Sequence, residues 1–404
     1  MNTTTVKLKN NIEVFCKKNP NTPRIALCFN IKAKNIINNA GVESLMTRLF
    51  MQGTKTRTAE ELANELDTYA IELSVDSRPD YIRFKFVCLN EDFEKSLELL
   101  SDIVSNSTFD DFDKEIKKMK GEIIAELDSP RTKVADGFYS TIFKYHRYGN
   151  THSKILSNLP NVKKEDVKDA YRNLISSSKK VISVVGDVNF DDVENLLNKY
   201  LGNLPGSINF DPVSEINALE KSEYTEIIKP DANQAHIIKG WITESTDSPD
   251  YPVLLLLNVI LGSSGLSSRL FLELRDKKGL AYVVRSCYET YAQCADFYIY
   301  IATEPKNIEV SLEGFAEEID KICKDYVGEE ELENAKNNML GKWAFTRETN
   351  ENQAILYANY GISDLGFDFN ERAKAAIAKV KVEDIMRCAN KYFKKQSVLS
   401  ILKP

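Results

Sequence analysis

Two short stretches of this sequence repeat each other and decide its predicted fold. Residues 47–50 read Thr-Arg-Leu-Phe, and residues 268–271 read Ser-Arg-Leu-Phe, each within a helical pattern. Two further pairs of similar segments follow in the same order along the chain: Glu94–Leu100 with Glu309–Phe315, and Lys164–Val167 with Val382–Ile385. Chance does not account for three such pairs in one order, so the sequence predicts an internal duplication.

The predicted domains are residues 1–205 and 223–404, joined by a linker over 206–222. The linker is rich in Pro, Gly, Ser and Asn, which is typical of a connecting segment. Stretches that alternate or run apolar, such as Arg24–Ile31, predict strands, and Thr58 with Glu61 forms the pattern of a helix-capping box. Because strands precede clustered helices in each half, we expect an α+β fold of two homologous domains. Each domain would be a mostly antiparallel sheet backed by helices.

The composition argues against several classes of partner. A hydrophobic content of 43% with 28% charged residues is typical of a soluble globular protein. A formal net charge of -7 argues against nucleic acid or an anionic membrane surface as a partner. The first residues alternate as in a strand and lack a signal-peptide pattern, and no apolar run approaches the roughly 20 residues of a membrane span. Seven scattered cysteines predict buried, reduced thiols. We therefore expect a cytoplasmic protein with no membrane partner.

Residues 41–54, Gly-Val-Glu-Ser-Leu-Met-Thr-Arg-Leu-Phe-Met-Gln-Gly-Thr, resemble the zinc-binding segment of the pitrilysin/insulinase-type metallopeptidases, which include the mitochondrial processing peptidase. In that family the segment reads G-x-x-H-x-x-E-H-x-L-F-x-G-T. Its two histidines share a helix face and bind one zinc ion, and the glutamate between them activates the bound water. Here Ser44 and Arg48 stand at the histidine positions and Thr47 at the glutamate position. The resemblance therefore implies the family's fold without its metal site.

Glu122 stands where the family has its third zinc ligand, a distal glutamate. It is either a remnant of that ligand or part of a solvated face of the helix predicted over Phe109–Leu127, with Glu115 two turns earlier on the same face. We favour the solvated face, because one carboxylate cannot hold zinc where three or four ligands are the rule. The three histidines of the chain offer no other site in the sequence pattern: His146, His152 and His236. We expect no metal in this chain.

Residues 268–282 match the family's second-domain motif, S-R-L-F-x-x-L-R-x-x-x-G-L-A-Y, at every defined letter. By this resemblance, Arg275 and Tyr282 contact the peptide backbone opposite the zinc ion and help to polarise the scissile carbonyl. Taken without the motif, Arg275 would pair with Asp276 or another acid, and Tyr282 would be an ordinary strand aromatic. The complete motif favours the functional interpretation. Tyr288 and Tyr291 are weaker candidates for peptide contact.

The resemblance implies that two chains contribute different groups to one catalytic site. In heterodimeric members of the family one subunit supplies the zinc ion and the other supplies the Arg/Tyr pair. We therefore expect a non-catalytic subunit, inactive alone, that forms one half of a clam-shell around a peptide or unfolded polypeptide. It would complete the site of a zinc-bearing paralogous partner. The alternative is a structural or peptide-binding scaffold of the same fold with no role in hydrolysis. The sequence leaves open the natural substrate, and whether the partner is a paralogue or a second copy of this chain.

Overall fold

Two β-sheets and their surrounding helices make up the protein. The computed structural model describes residues 2–32, 40–176, 178–208 and 216–404, so residues 209–215 of the predicted linker lie outside the described residues. The α+β, two-domain fold predicted from the sequence is confirmed. The strands of the first sheet are β1 Thr3–Lys7, β2 Glu13–Lys18, β3 Arg24–Lys32, β4 Glu72–Ser77, β5 Tyr81–Leu89 and β6 Lys180–Gly186. The strands of the second sheet are β7 Glu223–Ile228, β8 Ala235–Thr243, β9 Ala281–Thr290, β10 Ala295–Thr303 and β11 Val398–Lys403.

The helices follow the strands in clusters, as the sequence predicts. Those of the first half are α1 Val42–Leu49, α2 Ala59–Thr68, α3 Phe93–Asn106, α4 Phe112–Asp128, α5 Pro130–Ile142, α6 His152–Asn158, α7 Lys164–Ser176 and α8 Phe190–Tyr200. Those of the second half are α9 Tyr251–Asn258, α10 Ile308–Lys324, α11 Glu329–Phe345, α12 Asn350–Ile362, α13 Phe369–Lys379 and α14 Val382–Phe393. Within the described ranges, no helix combines the length and apolar character that crossing a membrane requires.

The two sheets share one topology. The first has the strand order β1-β2-β6-β3-β5-β4 and the second has β7-β11-β8-β10-β9. Without β1, the first order maps strand for strand onto the second. Each sheet contains one parallel pair, β2 with β6 and β7 with β11, and its other neighbours are antiparallel. Because the repetition includes the position of the parallel pair, the strand order supports the predicted duplication.

The order of elements corrects one of the three sequence pairs. Arg48 lies in α1, the first described helix after β3, whereas Arg269 opens the second helical segment after β8, directly before β9. In the first half this second place belongs to α2. The other two pairs fall on α3 with α10 and on α7 with α14, which hold matching places. An Arg-Leu-Phe run is compatible with many amphipathic helices, so three matching letters gave a wrong equivalence.

Local sequence signals set the beginnings of some elements. The Thr58 hydroxyl accepts a hydrogen bond from the Glu61 N–H at 3.2 Å, and the Thr58 N–H donates to the Glu61 carboxylate at 2.8 Å. This is the predicted capping box, and it starts α2. In contrast, α4 begins at Phe112 and not at Phe109, because Phe109 and Asp111 adopt positive φ angles of 54° and 46°. Such angles are incompatible with a continuing right-handed helix.

The compact units of the chain differ from the contiguous domains predicted as 1–205 and 223–404. Each unit takes in a segment from the other half of the sequence. The first unit consists of residues 1–122, 155–213 and 345–369, and the second consists of residues 123–154, 214–344 and 370–404. The strand order repeats along the sequence in contiguous halves, but the packing does not follow the same boundary.

The exchanged segments contain α5 and α12. In the second unit α5 packs against β7, β8 and β11, and its Phe138 side chain lies in a core cluster with Ile238 and Val398. In the first unit α12 packs against β3 and β6, where Ala354 and Ala358 meet small side chains of the sheet. An apolar sheet face must be covered, but the sequence does not show which sheet a given helix will cover. The compact units therefore cross the predicted boundary, while the contiguous domain limits 1–205 and 223–404 stay a prediction.

Candidate functional site

The segment that resembles a zinc motif forms α1, and its three key side chains are not metal ligands. Gly41, at φ 92°, precedes the helix, which then carries Ser44 one turn before Thr47 and Arg48. Thr47 is buried, and its hydroxyl donates to the Ser44 carbonyl at 2.8 Å. Hydroxyl groups in helices often bond to the preceding turn in this way. The Thr47 hydroxyl, which stands at the position of the family's glutamate, is therefore engaged in a hydrogen bond within its own helix.

Arg48 and Glu122 meet across α1 and α4. The Arg48 Nη2 atom lies 2.5 Å from a carboxylate oxygen of Glu122. The hydrogen bond from the Arg48 guanidinium holds the pKa of the Glu122 carboxyl below its usual value. The two side chains are 33% and 42% exposed, so water screens the pair and it adds little to stability. Positions 48 and 122 correspond to the second histidine and the distal glutamate of the family. They lie close together, as the resemblance implies, but they form an ion pair.

The two glutamates of this helix face differ in their exposure to solvent. Glu115, in the same charged run, is only 2% exposed. Glu122 is partly exposed, but its carboxylate is held by Arg48. The charged letters of the run suggested a hydrated surface, because the sequence did not reveal the neighbouring helix that carries Arg48. The choice between a remnant ligand and a solvated face at Glu122 stays a prediction, since Glu122 is 42% exposed and also paired with Arg48.

The second motif folds as a helical turn followed by a strand. Residues Phe271–Lys277 form a π-helical segment, and Gly279, at φ 61°, ends it before β9 begins. Glycine is the usual residue at such a left-handed helix end. This reversal brings Tyr282 beside Arg275, with 4.6 Å between the guanidinium carbon and the tyrosine ring centre. π-Helical turns occur frequently at functional sites.

The polar groups of Arg275 and Tyr282 are available to a ligand. Tyr282 is 77% exposed. In the part of the chain that the structure describes, neither the Tyr282 hydroxyl nor the Arg275 guanidinium has a hydrogen-bond or ion-pair partner. Nearby acids are paired with lysines instead: Glu273 with Lys277 at 2.6 Å, and Glu317 with Lys278 at 2.7 Å. The alternative in which Arg275 pairs with Asp276 therefore does not describe this site.

Comparisons with known proteins agree on one family. The model for insulinase, peptidase family M16, matches residues 19–154, and the model for the peptidase M16 inactive domain matches residues 161–339. The chain belongs to peptidase family M16. An uncharacterized zinc protease of Rickettsia felis is 27% identical to this M16 chain, over 98% of this chain and 97% of its own length. An uncharacterized zinc protease of Bacillus subtilis is 24% identical, over 90% and 88%.

Solved structures show the same M16 fold. A protease from Helicobacter pylori has a TM-score of 0.92 with 23% identity, covering 100% of this chain and 99% of its own. A peptidase M16 inactive domain from Pseudomonas fluorescens has a TM-score of 0.90 with 20% identity, covering 100% and 98%. At these identities the likeness concerns the fold alone.

The side chains of this M16 chain do not fit a zinc ion at α1. Zinc sites in proteins use imidazole, thiolate and carboxylate ligands, whereas positions 44 and 48 carry a hydroxyl and a guanidinium. The remaining carboxylate, that of Glu122, is engaged by Arg48 at 2.5 Å. Across the described ranges, no three His, Cys, Asp or Glu side chains come together as a possible metal site. The zinc content of the chain stays a prediction.

The three histidines of this M16 chain are each engaged separately. His236 lies in β8, with its Nδ1 atom 2.8 Å from the Tyr300 hydroxyl. His146 is buried, and burial lowers its pKa to about 4. The Nε2 atom of His152 lies 2.7 Å from the Glu126 carboxylate. These contacts place the three histidines among different neighbours.

The two weaker tyrosine candidates point their hydroxyls into the protein. The Tyr288 hydroxyl donates to the Glu244 carbonyl at 2.8 Å. The Tyr291 hydroxyl lies 3.3 Å from the buried carboxyl of Asp296, and its ring stacks on Tyr148. Burial raises the pKa of Asp296 well above its usual value. These contacts assign both tyrosines to the core, in contrast to the open hydroxyl of Tyr282.

Sequence reasoning missed one contact of the second motif. Phe271 belongs to the matched letters, yet no role followed from its position. Its ring centre lies 4.5 Å from the guanidinium carbon of Arg275, so a cation–π contact connects the two residues. The signal was present, because residues four apart in a helical turn share a face. The π-helical turn made this spacing hard to interpret from the sequence alone.

Proposed function

We propose that this M16 chain is the non-catalytic, substrate-binding subunit of a heterodimeric zinc endopeptidase. The complex cleaves peptides or unfolded polypeptides in the cytoplasm. Its zinc ion is bound by a histidine-bearing paralogous subunit, and this chain contributes Arg275 and Tyr282 to that subunit's site.

One observation carries the proposal: the donors of Arg275 and Tyr282 lie side by side without a protein partner in the described structure. A guanidinium and a phenol placed in this way can donate hydrogen bonds to a peptide carbonyl and to the oxyanion that develops on it. The chain lacks the histidines that would supply its own metal, and Arg48 holds the distal carboxylate. A chain with donors and no metal ligands requires a metal from elsewhere to take part in hydrolysis.

The chemistry expected of the two side chains is stabilisation of charge. The Arg275 guanidinium carries a positive charge and planar N–H donors that can stabilise the developing oxyanion. The Tyr282 hydroxyl supplies a second hydrogen-bond donor beside the guanidinium. Activation of water belongs to the partner in this proposal, because Thr47 stands at the position of the family's glutamate.

Reconstitution with the zinc-bearing paralogue tests the proposal. Arg275→Ala and Tyr282→Phe should each lower turnover of an unfolded polypeptide on the order of a hundredfold to a thousandfold, the effect of removing one positioned oxyanion donor. Complex formation and the partner's zinc content should not change. Stopped assays of peptide cleavage, gel filtration and elemental analysis measure the three quantities.

Lys278→Ala and Tyr326→Phe serve as matched controls in the same complex. Lys278 carries a nearby charge that pairs with Glu317, and Tyr326 is a 58% exposed tyrosine outside the motif. Both variants should keep wild-type turnover. If Arg275→Ala and Tyr282→Phe also keep wild-type turnover and peptide affinity, the donor role is wrong and the scaffold alternative is supported.

A further inference from the structure

We infer that Phe271 is a positioning residue whose ring, together with that of Tyr282, holds the Arg275 guanidinium in place for its ligand. The inference rests on the proposed function, because it concerns the same site. It adds a residue to which neither the family motif nor the proposal assigns a task.

The geometry places the guanidinium against two rings. Its central carbon lies 4.5 Å from the ring centre of Phe271 and 4.6 Å from that of Tyr282. Both distances lie inside the limit of about 6 Å for a cation–π contact. Phe271 is half-buried at the start of the π-helical segment, and Tyr282 stands on β9. The two rings therefore come from different elements and restrict the cation together.

Within the described structure, the Arg275 side chain interacts through these two cation–π contacts. No carboxylate or carbonyl there holds the guanidinium, and the nearby acids Glu273 and Glu317 are paired with lysines. An arginine side chain has four rotatable bonds and loses much rotamer freedom when it is ordered. Aromatic contacts restrict it without using its N–H groups, so all five donors stay available to a substrate oxygen. A carboxylate partner would order the side chain as well, but would occupy those donors.

Tyr282 has two separable tasks on this view. Its ring restrains Arg275, and its hydroxyl donates to the substrate. Tyr282→Phe removes only the hydroxyl, whereas Phe271→Leu removes one ring contact and leaves every donor in place. Leucine retains apolar packing at this half-buried position, so the fold should tolerate the change. Phe271→Tyr restores an aromatic ring and is the conservative rescue.

Side-chain NMR of the full-length chain tests the restraint without any partner or reaction. The order parameter of the Arg275 Nε–H group reports its motion on the picosecond to nanosecond timescale. Phe271→Leu should lower this order parameter, and Phe271→Tyr should keep it at the wild-type value. Phe345→Leu is the control, since Phe345 is a 75% exposed phenylalanine, and it should have no effect. An unchanged Arg275 order parameter in Phe271→Leu overturns the inference.

Kinetics of the reconstituted complex provide the second arm. Phe271→Leu should lower kcat roughly tenfold, which is a smaller loss than the ~100-fold expected when a catalytic group is misplaced by 1 Å. KM should change less than about twofold. Phe271→Tyr should restore kcat, which a loss of stability would not explain. An equal loss in both variants contradicts a positioning role. If Arg275→Ala itself leaves hydrolysis unchanged, the proposed function fails, and the NMR result alone decides whether Phe271 restrains Arg275.

Discussion

At position 48 a fixed positive charge stands where the family places a ligand for a dication. The Arg48 guanidinium reaches the carboxylate of Glu122 at 2.5 Å, so the former distal ligand has a cation beside it without any metal. Both residues are read directly from the sequence, and the resemblance implies that positions 48 and 122 lie close together. It did not predict the ion pair, because contact between α1 and α4 depends on tertiary packing.

Restoring three side chains at this site tests whether Glu122 keeps the position of a ligand. Wild-type protein purified without added metal should contain far less than one zinc ion per chain. The triple variant Ser44→His, Thr47→Glu, Arg48→His should bind about one zinc ion, because two histidines four apart and a distal carboxylate complete a three-ligand site. Elemental analysis after dialysis measures the content, and the observable is independent of peptidase activity.

Adding Glu122→Gln to the triple variant provides the control for this zinc prediction. The amide should weaken zinc binding strongly, since it removes the charged third ligand. A wild-type chain that retains one tightly bound zinc ion would contradict the prediction. Equal zinc content with and without Glu122→Gln would show that Glu122 is not placed as a ligand.

At the scale of elements, glycine residues allow the exchanged helices to approach the sheets closely. A Cβ atom on Gly361 of α12 would lie 2.6 Å from a methyl carbon of Val181 in β6. A Cβ atom on Gly137 of α5 would lie 2.9 Å from Ile227 in β7. The Val181 side chain is short, buried and β-branched, so it cannot move aside easily. The close packing of α12 therefore depends on the absence of a side chain at Gly361.

Gly361→Ala should lower the free energy of unfolding by about 1–3 kcal/mol, the usual cost of overpacking a core. Denaturant unfolding followed by circular dichroism measures the change. Gly341→Ala in α11 is the matched control, because its Cβ atom would have no neighbour within 4 Å. There the substitution should stabilise the protein by roughly 0.5–1 kcal/mol through helix propensity. A Gly361→Ala variant as stable as wild type would mean that α12 does not lie against β6 as described.

Some secondary-structure elements could be predicted from the sequence and others could not. β3 was predicted from the apolar stretch Arg24–Ile31, and the start of α2 was predicted from Thr58 and Glu61, because these signals are local. The π-helical turn at Phe271 and the late start of α4 were missed, since both depend on backbone geometry that several sequences can adopt. Arg275 and Tyr282 were found through the matched motif, while their contact with Phe271 required coordinates.

At the scale of the whole chain, the duplication and the compact units have different boundaries. The strand order repeats in the two contiguous halves, as the sequence predicted. The first unit nevertheless includes residues 345–369, and the second includes residues 123–154. The periodicity of a helix carries no information about which sheet the helix will cover. Sequence reasoning could therefore predict the number of layers and not the assignment of these two helices.

The exchange of these segments leads to a prediction about how fragments of the chain fold. Residues 1–205 contain the strands of the first sheet but not α12, whose Ala354 and Ala358 cover Ala26 and Val185. That fragment should be unable to bury this sheet face. We expect it to lack a cooperative thermal transition and near-ultraviolet circular dichroism, and to gain both when residues 206–404 are co-expressed. A fragment 1–205 with α12 fused through a flexible linker should recover part of the cooperativity. Fully cooperative unfolding of residues 1–205 alone would show instead that the contiguous half is an independent domain, because its sheet would then be stable without the cover that α12 provides.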